Sequence, residues 1–470
     1  MKTVFVNLPF LKRLVRRYTC SYYAPNFLFP PLELMYLAAI VERQKKDTAM
    51  IIDAIAEGLT LREVIERCRL FQPDLFVFMT GLETFSSDLE AAEKVKLALP
   101  YAKTVCLGYL PTQFPGEILK NVPFIDFIIM DEPEMPFSSL YDKLKDKESV
   151  RALSGIAGRA DGQIDIGPKA ERIKDPDILP FPARHLVKNH FYHEFFSSRP
   201  FTTIQASRGC PSLCTYCIRT FGQKVGFRSL TNILEEIKEA MVNSGIKTFR
   251  FIDDNFCMDK SRVREFCELI LSNKIKFQWA CLSRVDSLDQ ELLTLMKRAG
   301  CFRIYFGIET FSKRVLDIYQ KGYHPDRIFP LVTMVKKANI EAAGFFMIGG
   351  IQTEEEFERD IRLAKKTALD YITAEKVIPY PGTPLFEQMK DEIDFQLFPY
   401  KNRLKDAQEE IKIFQWEKEF YSKFYIRPGY MLRMLMRSLR FPKDAIIGLK
   451  DIWSYSRHDV DLTSQRADLI

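Results

Sequence analysis

Between Ser207 and Cys217 the chain reads Ser-Arg-Gly-Cys-Pro-Ser-Leu-Cys-Thr-Tyr-Cys, which puts Cys210, Cys214 and Cys217 in C-x3-C-x2-C spacing. Three thiols this close are too crowded to be independent core residues. A short loop of this kind can wrap three thiolates around one inorganic cluster, and cysteine thiolate is the usual protein ligand of iron–sulfur clusters. A four-iron cubane held by three sulfurs leaves one iron open to an exogenous ligand. A structural zinc site calls for four ligands, often as two C-x2-C pairs, and the nearest histidines here are His193 and His324. A disulfide framework belongs to small secreted chains. The cluster reading leads both.

Such a loop needs a frame. Six strand-like runs follow one another at Thr202–Ala206, Thr248–Asp253, Phe277–Leu282, Arg303–Gly307, Ala342–Ile348 and Ile372–Ile378. Helical patterns follow them at Leu230–Asn243, Ser261–Ser272, Gln290–Ala299, Lys313–Tyr319, Pro325–Ala338 and Glu354–Ala368. Six β-α units with right-handed crossovers predict a partial barrel over residues 200–385, its active site at the carboxyl ends of the strands. The cysteine loop follows the first strand, at such an end.

Residues 1–145 alternate β runs (Lys2–Asn7, Ala49–Asp53, Leu75–Met79, Thr104–Leu107, Phe124–Met130) with amphipathic helices, of which Leu32–Glu42 and Thr60–Phe71 are the clearest. Apolar strands joined by helices predict an α/β domain with a parallel sheet covered on both faces, which binds ligands at its strand ends. Residues 146–199 read as a connector broken by Gly162, Gly167, Pro176, Pro180 and Pro182. His185, His190 and His193 fall within it, at spacings that share no helical face; a surface or interface role is expected, a substrate-pocket role the alternative. Residues 386–470 read as a helical, aromatic-rich tail in which Arg433, Arg437 and Arg440 share one face of an amphipathic segment, 430–440. That segment suits an anionic membrane surface or packing on the core.

A length of 470 residues suggests two or three domains, and 47% hydrophobic residues can fill their cores. The net charge of +6 is dispersed and argues against specific nucleic-acid binding. Cys20, Cys68, Cys106, Cys257, Cys267, Cys281 and Cys301 are scattered in apolar or helical contexts and read as small core residues. The first residues do not resemble a signal peptide, and no eighteen apolar residues run together, so no transmembrane helix is expected. Free thiolates suit a reducing cytoplasm; the expected location is cytoplasmic, with peripheral contact at the inner membrane face as an option.

The loop, with aromatic Tyr216 before its last cysteine, resembles the signature of the radical S-adenosylmethionine (SAM) superfamily. The resemblance implies that Cys210, Cys214 and Cys217 hold a [4Fe-4S] cluster whose open iron is chelated by SAM, which one electron cleaves to methionine and a 5′-deoxyadenosyl radical. It implies further SAM contacts at the strand ends. Asp253 and Asp254 would accept from the SAM ammonium, although the family's usual glycine pair is replaced there. Ser283 and Arg284 end the third strand, with Arg284 a bidentate partner for the SAM carboxylate. Glu309 would bond the ribose. Gly349 and Gly350 would let backbone approach the cofactor, with Ile351 where the family often has proline. The run from Pro379 through Tyr380 to Leu385 resembles the closing motif beside the adenine.

The first domain, with its Pro30–Ala38 run, resembles the Rossmann-like (flavodoxin-like) cobalamin-binding domain that precedes many radical SAM cores. Gly81, Gly108 and Thr112 would allow a corrinoid close approach. The turn Asp131-Glu132-Pro133-Glu134 departs from that pattern, lacking its glycines. Residues 1–150 contain no histidine, so any cobalamin there would be bound without an imidazole ligand; a domain that binds nothing is the rival reading. The implied fold is this domain, a partial (β/α)6 TIM-like radical SAM barrel and the helical tail. The implied activity is methylation, cyclisation or oxidation at an unactivated carbon of a bulky apolar small molecule, a lipid or tetrapyrrole, since the tail resembles those of relatives acting on porphyrin or isoprenoid-lipid substrates. The electron would come from an external donor of flavodoxin or ferredoxin type. A methylthiotransferase acting on RNA or protein is disfavoured, because Cys20, Cys68 and Cys106 are far apart and the tail looks helical. A corrinoid or redox carrier would leave Arg284, Glu309 and the Pro381–Pro384 run without purpose.

Overall fold

The computed structural model describes residues 1–440 except 18, 19, 24–26, 45, 161 and 198. These residues form two compact units. The first holds Met1–Thr202 with Glu235–Ile246; the second holds Thr203–Leu234 and the described residues from Lys247 to Arg440.

The first unit is built on a seven-stranded sheet in the order Thr48–Asp53, Lys2–Asn7, Leu75–Met79, Lys103–Leu107, Phe127–Ile129, Ile156–Ala160, Gln163–Ile166. The first five strands are mutually parallel, as their runs of apolar residues predict. All five residues of Leu75–Met79 are buried, because helices cover both faces. Thr60 caps the helix Leu61–Phe71 through a reciprocal capping box with Glu63.

Two features of this unit were not anticipated. The last two strands are antiparallel and lie in what reads as connector. Their signal was the Asp161-Gly162 pair, a strong two-residue hairpin cue. Leu14–Arg17 and Cys20–Tyr23 also pair antiparallel, a short hairpin between the first strand and the first helix.

The second unit carries a six-stranded sheet in sequential order: Phe201–Ile204, Thr248–Phe251, Gln278–Ser283, Cys301–Glu309, Glu341–Ile348, Tyr371–Lys376. The pairs from the second strand onward are parallel, and helices intervene, so the expected partial barrel is what forms. Helix starts are fixed locally. Asp259, Asp289 and Ser312 accept from backbone N–H groups three residues on, and Thr353 forms a capping box with Glu356. Trp279 lies near the start of its strand and faces the helices, in edge contact with Phe251 and Phe266; its indole donates to the Ala299 carbonyl at 2.8 Å.

The tail departs from a purely helical reading. Ile393–Gln396 and Lys401–Leu404 form an antiparallel hairpin before the helices Ala407–Tyr425 and Pro428–Arg440. Residues 441–470 lie outside the description. The tail aromatics that suggested a bulky apolar substrate are used in packing. Trp416 stacks on Phe357 with ring centroids 4.5 Å apart, and Phe420 packs on Phe346 at 4.9 Å. The hydroxyls of Tyr421 and Tyr425 accept from the N–H groups of Ala374 and Ile372, both at 2.9 Å, on the last strand of the sheet.

Candidate functional site

The cysteine loop leaves the first strand of the second unit through Gly209, whose φ is +95°. A Cβ there would stand 2.4 Å from the Lys224 carbonyl oxygen, so only glycine fits. Backbone bonds then stitch the loop down. Cys210 N–H donates to Gly222 at 3.1 Å and Cys217 N–H to Cys214 at 3.3 Å. Thr215 donates through its N–H to Tyr319 at 3.1 Å and through its hydroxyl to Ile318 at 3.0 Å, while its own carbonyl accepts from Leu385 at 2.9 Å. That last bond ties the loop to the Tyr380–Leu385 run. There Tyr380, half-buried, accepts from Thr383, and Thr383 caps the helix Pro384–Met389.

All three thiols are free; Cys214 is buried, Cys210 half-buried and Cys217 exposed. The protein around Cys217 still pushes its thiol up to about 12, by desolvation first, then by Asp254 and the sister thiols, with Lys321 pulling the other way. Cys217 is therefore within electrostatic reach of both other cysteines. Among the described residues no three Cys, His or carboxylate groups close on a point that one metal ion would fill. Three cysteine thiols on one short loop are a donor set that suits an iron–sulfur cluster, whereas a structural zinc ion takes four ligands. The connector histidines do not converge either: His185 pairs with Glu42 at 3.0 Å on the surface, and His193 is buried against the Phe191 carbonyl.

Beneath the loop lies a buried knot that includes a residue the sequence reading missed. Lys321 Nζ donates to Glu309 Oε1 at 2.9 Å and to Tyr216 OH at 3.1 Å, and Tyr216 OH donates to the same Glu309 oxygen at 2.9 Å. Burial pulls the Lys321 ammonium down, but Glu309 and Cys214 outweigh it and hold the group charged. Glu309 sits at φ +61°, where the register to the neighbouring strand shifts. The signal for Lys321 in the sequence was faint: one lysine before Gly322.

The other predicted residues divide. Arg284 Nε and Nη2 bind both carboxylate oxygens of Asp286, each at 3.1 Å, and Nη1 donates to Ser212 Oγ at 3.3 Å. Its guanidinium thus reaches the cysteine loop, but its bidentate partner is the chain's own Asp286. Asp253 is fully buried, accepting from Ser207 Oγ at 2.5 Å and Ala206 N–H at 3.2 Å, and burial pushes it up to about 6. It ties the first two strand ends together, while exposed Asp254 is the carboxylate that acts on Cys217. Ser283 donates to the Arg284 carbonyl at 3.0 Å. Gly349 and Gly350 make a left-handed turn (φ +80° and +65°), and the space beside Gly349 is filled by Ile413 of the tail.

In the first unit the strand ends are polar but engaged. A Cβ on Gly108 would stand 2.5 Å from Thr80 Oγ1; Thr112 Oγ1 donates to the Gly108 carbonyl at 3.0 Å; Gly81 N–H donates to Asp88 Oδ2 at 2.9 Å. Asp88 pairs with Arg16 at 2.6 Å, both side chains inaccessible to solvent. Arg16 also binds Asn7, which donates to Asp53 at 2.8 Å; Tyr192 OH donates to Asp53 at 2.9 Å. Gly81 serves this network, Thr112 bonds Gly108, and the room beside Gly108 belongs to Thr80.

Comparison with known proteins places this geometry. Residues 204–364, which contain the cysteine loop and Glu309–Lys321, match the radical SAM superfamily. An uncharacterised methyltransferase of Pyrococcus horikoshii is 30% identical over 436 residues, covering 90% of this chain and 94% of that protein. The anaerobic magnesium-protoporphyrin IX monomethyl ester cyclase of a Synechocystis strain is 27% identical over 428 residues, covering 88% and 85%. Among solved structures, the cobalamin-dependent SAM radical enzyme OxsB, with aqua-cobalamin and SAM bound, superposes at TM-score 0.72 and 16% identity, covering 95% of this chain and 71% of that one. The radical SAM methyltransferase TsrM from Kitasatospora setae gives 0.63 at 14% identity, covering 83% and 76%. A shared fold at low identity, a matched core around three free thiols and a relative aligned along nearly the whole chain agree: the chain belongs to the radical SAM superfamily.

Proposed function

We propose that this radical SAM enzyme transfers a methyl group to, or closes a ring on, an unactivated carbon of a small molecule. The observation that carries this reading is the set of three free thiols on a stitched loop, at the carboxyl end of the sheet's first strand, above the Lys321–Glu309–Tyr216 knot. When bound, a [4Fe-4S] cluster supplies the single electron that splits SAM into methionine and a 5′-deoxyadenosyl radical, and a corrinoid would supply a methyl group.

The chain's own residues prepare that chemistry. Cys210, Cys214 and Cys217 would hold the cluster, on a loop whose course the bonds from Thr215 fix. Arg284, through its contact with Ser212, and Asp254, at Cys217, set the charge around the open position. Glu309 and Tyr216, held by Lys321, present oxygen atoms for the ribose without rearrangement when the ligand arrives. The run Tyr380–Leu385 closes the adenine side.

For the substrate, support comes from the concave face of the second unit's sheet. Strand alternation turns Trp279, Cys281 and Phe346 toward the helices, leaving Leu282, Phe345 and Met347 on the other face, each partly exposed. Tyr305 stacks on Phe345 there at 5.7 Å. Arg250 stands over the Tyr305 ring at 3.7 Å and Arg303 donates to its hydroxyl at 3.0 Å; a largely apolar wall with these cations beside it fits a bulky lipid or tetrapyrrole, in line with the similarity to the cyclase. A corrinoid bound by the first unit is supported by the cobalamin named for OxsB; without histidine in residues 1–150 it would lack an imidazole ligand. An external reductant of flavodoxin or ferredoxin type completes the scheme.

The test is anaerobic reconstitution with iron and sulfide, followed by dithionite and SAM. Formation of 5′-deoxyadenosine or S-adenosylhomocysteine by the wild type, and loss of both when any one loop cysteine is replaced by alanine, is the expected result. Unchanged SAM turnover in such a variant would end the reading. Corrinoid titration of the same preparation tests the first unit separately.

A further inference from the structure

The helix Pro428–Arg440 is amphipathic in the inverted sense. Arg433 and Arg437 point inward. Arg437 pairs with Glu341 and donates to Tyr371 OH, Arg433 lies 3.8 Å from Asp370, and Tyr430 OH donates to the Asp370 carbonyl at 2.8 Å. With that face anchored, Met431, Leu432, Leu435 and Met436 fall on the opposite side, each more than half exposed, and Leu439 beyond them is 83% exposed. These five positions make one continuous stripe at helical spacing. A surface helix ordinarily turns such a stripe to the core; here the core-facing ion pairs force it outward. The sequence left this segment between a membrane surface and packing of its apolar face on the core; the ion pairs to Glu341 and Asp370 turn the arginine face, not the apolar one, to the core.

We propose that this apolar stripe seats on an anionic lipid surface. An exposed aliphatic patch of a few hundred Å² marks an interaction site. It falls short of the roughly 800 Å² per partner that a stable protein interface takes, whereas a bilayer demands no matching shape. Charge points the same way. Glu341 and Asp370 are already paired with Arg303 and Lys336, so Arg437 and Arg433 each add a positive charge in excess of those carboxylates, and the Arg433 side chain is 39% exposed; interfacial helices draw on apolar burial and attraction to anionic headgroups together. Among the described residues no helix is long and apolar enough to cross a membrane, so the contact is one of lying on the surface.

The experiment is flotation of the full-length protein with vesicles of phosphatidylcholine alone or mixed with phosphatidylglycerol. The wild type is expected to float several-fold more with the mixed vesicles, and the Leu432→Glu/Leu435→Glu variant to stay in the dense fraction. Both substitutions are exposed, so the variant should keep the melting temperature and iron content of the wild type. The proposal is overturned if the wild type floats with neither vesicle, or if the variant floats as well as the wild type. It is equally overturned if sedimentation shows a concentration-dependent dimer that the variant abolishes, which would give the stripe to a second copy. Each of these outcomes leaves the radical SAM assignment untouched.

Discussion

Gly307 is what makes room for Lys321. A Cβ at Gly307 would stand 2.6 Å from Glu309 Oε1 and 3.1 Å from Lys321 Nζ, so the missing side chain admits the buried ion pair beneath the cysteine loop. Removing one partner of such a pair strands a buried charge, at about 3–5 kcal/mol. Lys321→Met is therefore expected to lower the urea midpoint clearly, and Lys321→Met/Glu309→Leu to recover most of it. The double variant should nonetheless fail to bind SAM by calorimetry, since the two oxygens proposed to meet the ribose lose their setting. SAM affinity equal to wild type in the double variant would remove Glu309 and Lys321 from the site.

The loop cysteines make a different prediction. Cys217 is exposed and free, and a surface substitution away from packing costs within about 0.5 kcal/mol. Cys217→Ala should thus fold as the wild type does, yet lose the visible iron–sulfur absorbance after reconstitution. Cys214 is buried, so Cys214→Ala should lose both absorbance and some stability. Retained absorbance in Cys217→Ala would place the cluster elsewhere.

Much of this was legible before any coordinates. Strands such as Leu75–Met79 are uniformly apolar and bounded by turn residues, and the Thr60 and Thr353 capping boxes announce their helices. The cysteine loop was legible because three ligands lie within one short segment. Lys321 was not, because its partners are 12 and 105 residues away in sequence and nothing local marks a lysine as buried. Arg16 and Asp88 were hidden for the same reason, being 72 residues apart. The direction of the last helix was illegible because its amphipathic pattern fits either face inward; only Glu341 and Asp370, brought by other strands, decide it.

Stability should also carry a pH signature from Asp360. Its carboxylate accepts from Phe311 N–H and from the Gln352 amide, both at 2.7 Å. Burial nevertheless pushes it from 3.8 up to about 7, the hydrogen bonds pulling the other way without cancelling. Between those values the folded chain keeps a proton that the unfolded chain has released. The group's contribution is therefore fully present below 3.8 and lost as pH rises through about 7. Asp253, raised to about 6, has the same sign. Glu356, lowered to about 2 chiefly by Arg314 and Ser312 against burial, has the opposite sign, but its window closes below 4.5. The urea midpoint should thus be higher near pH 5 than near pH 8, and Asp360→Asn should shrink that difference. A midpoint that rises with pH in both proteins would refute the assignment.

The open edge of the second unit's sheet is sealed by two tyrosines. The last strand, Tyr371–Lys376, pairs with Glu341–Ile348 on one side only, and an unpaired strand edge invites association with other chains. Tyr425 OH accepts from Ile372 N–H at 2.9 Å and donates to the Ile372 carbonyl at 2.7 Å, while Tyr421 OH accepts from Ala374 N–H at 2.9 Å. The two rings stack with centroids 6.1 Å apart. Replacing both by phenylalanine keeps the rings and leaves these backbone groups unsatisfied, at about 1–3 kcal/mol for each group that water cannot reach. Tyr421→Phe/Tyr425→Phe should lower the urea midpoint and raise light scattering on mild heating. Iron content after reconstitution should hold at the temperature where the fold is intact. A variant as stable and as monodisperse as the wild type would mean that water, not tyrosine, satisfies this edge.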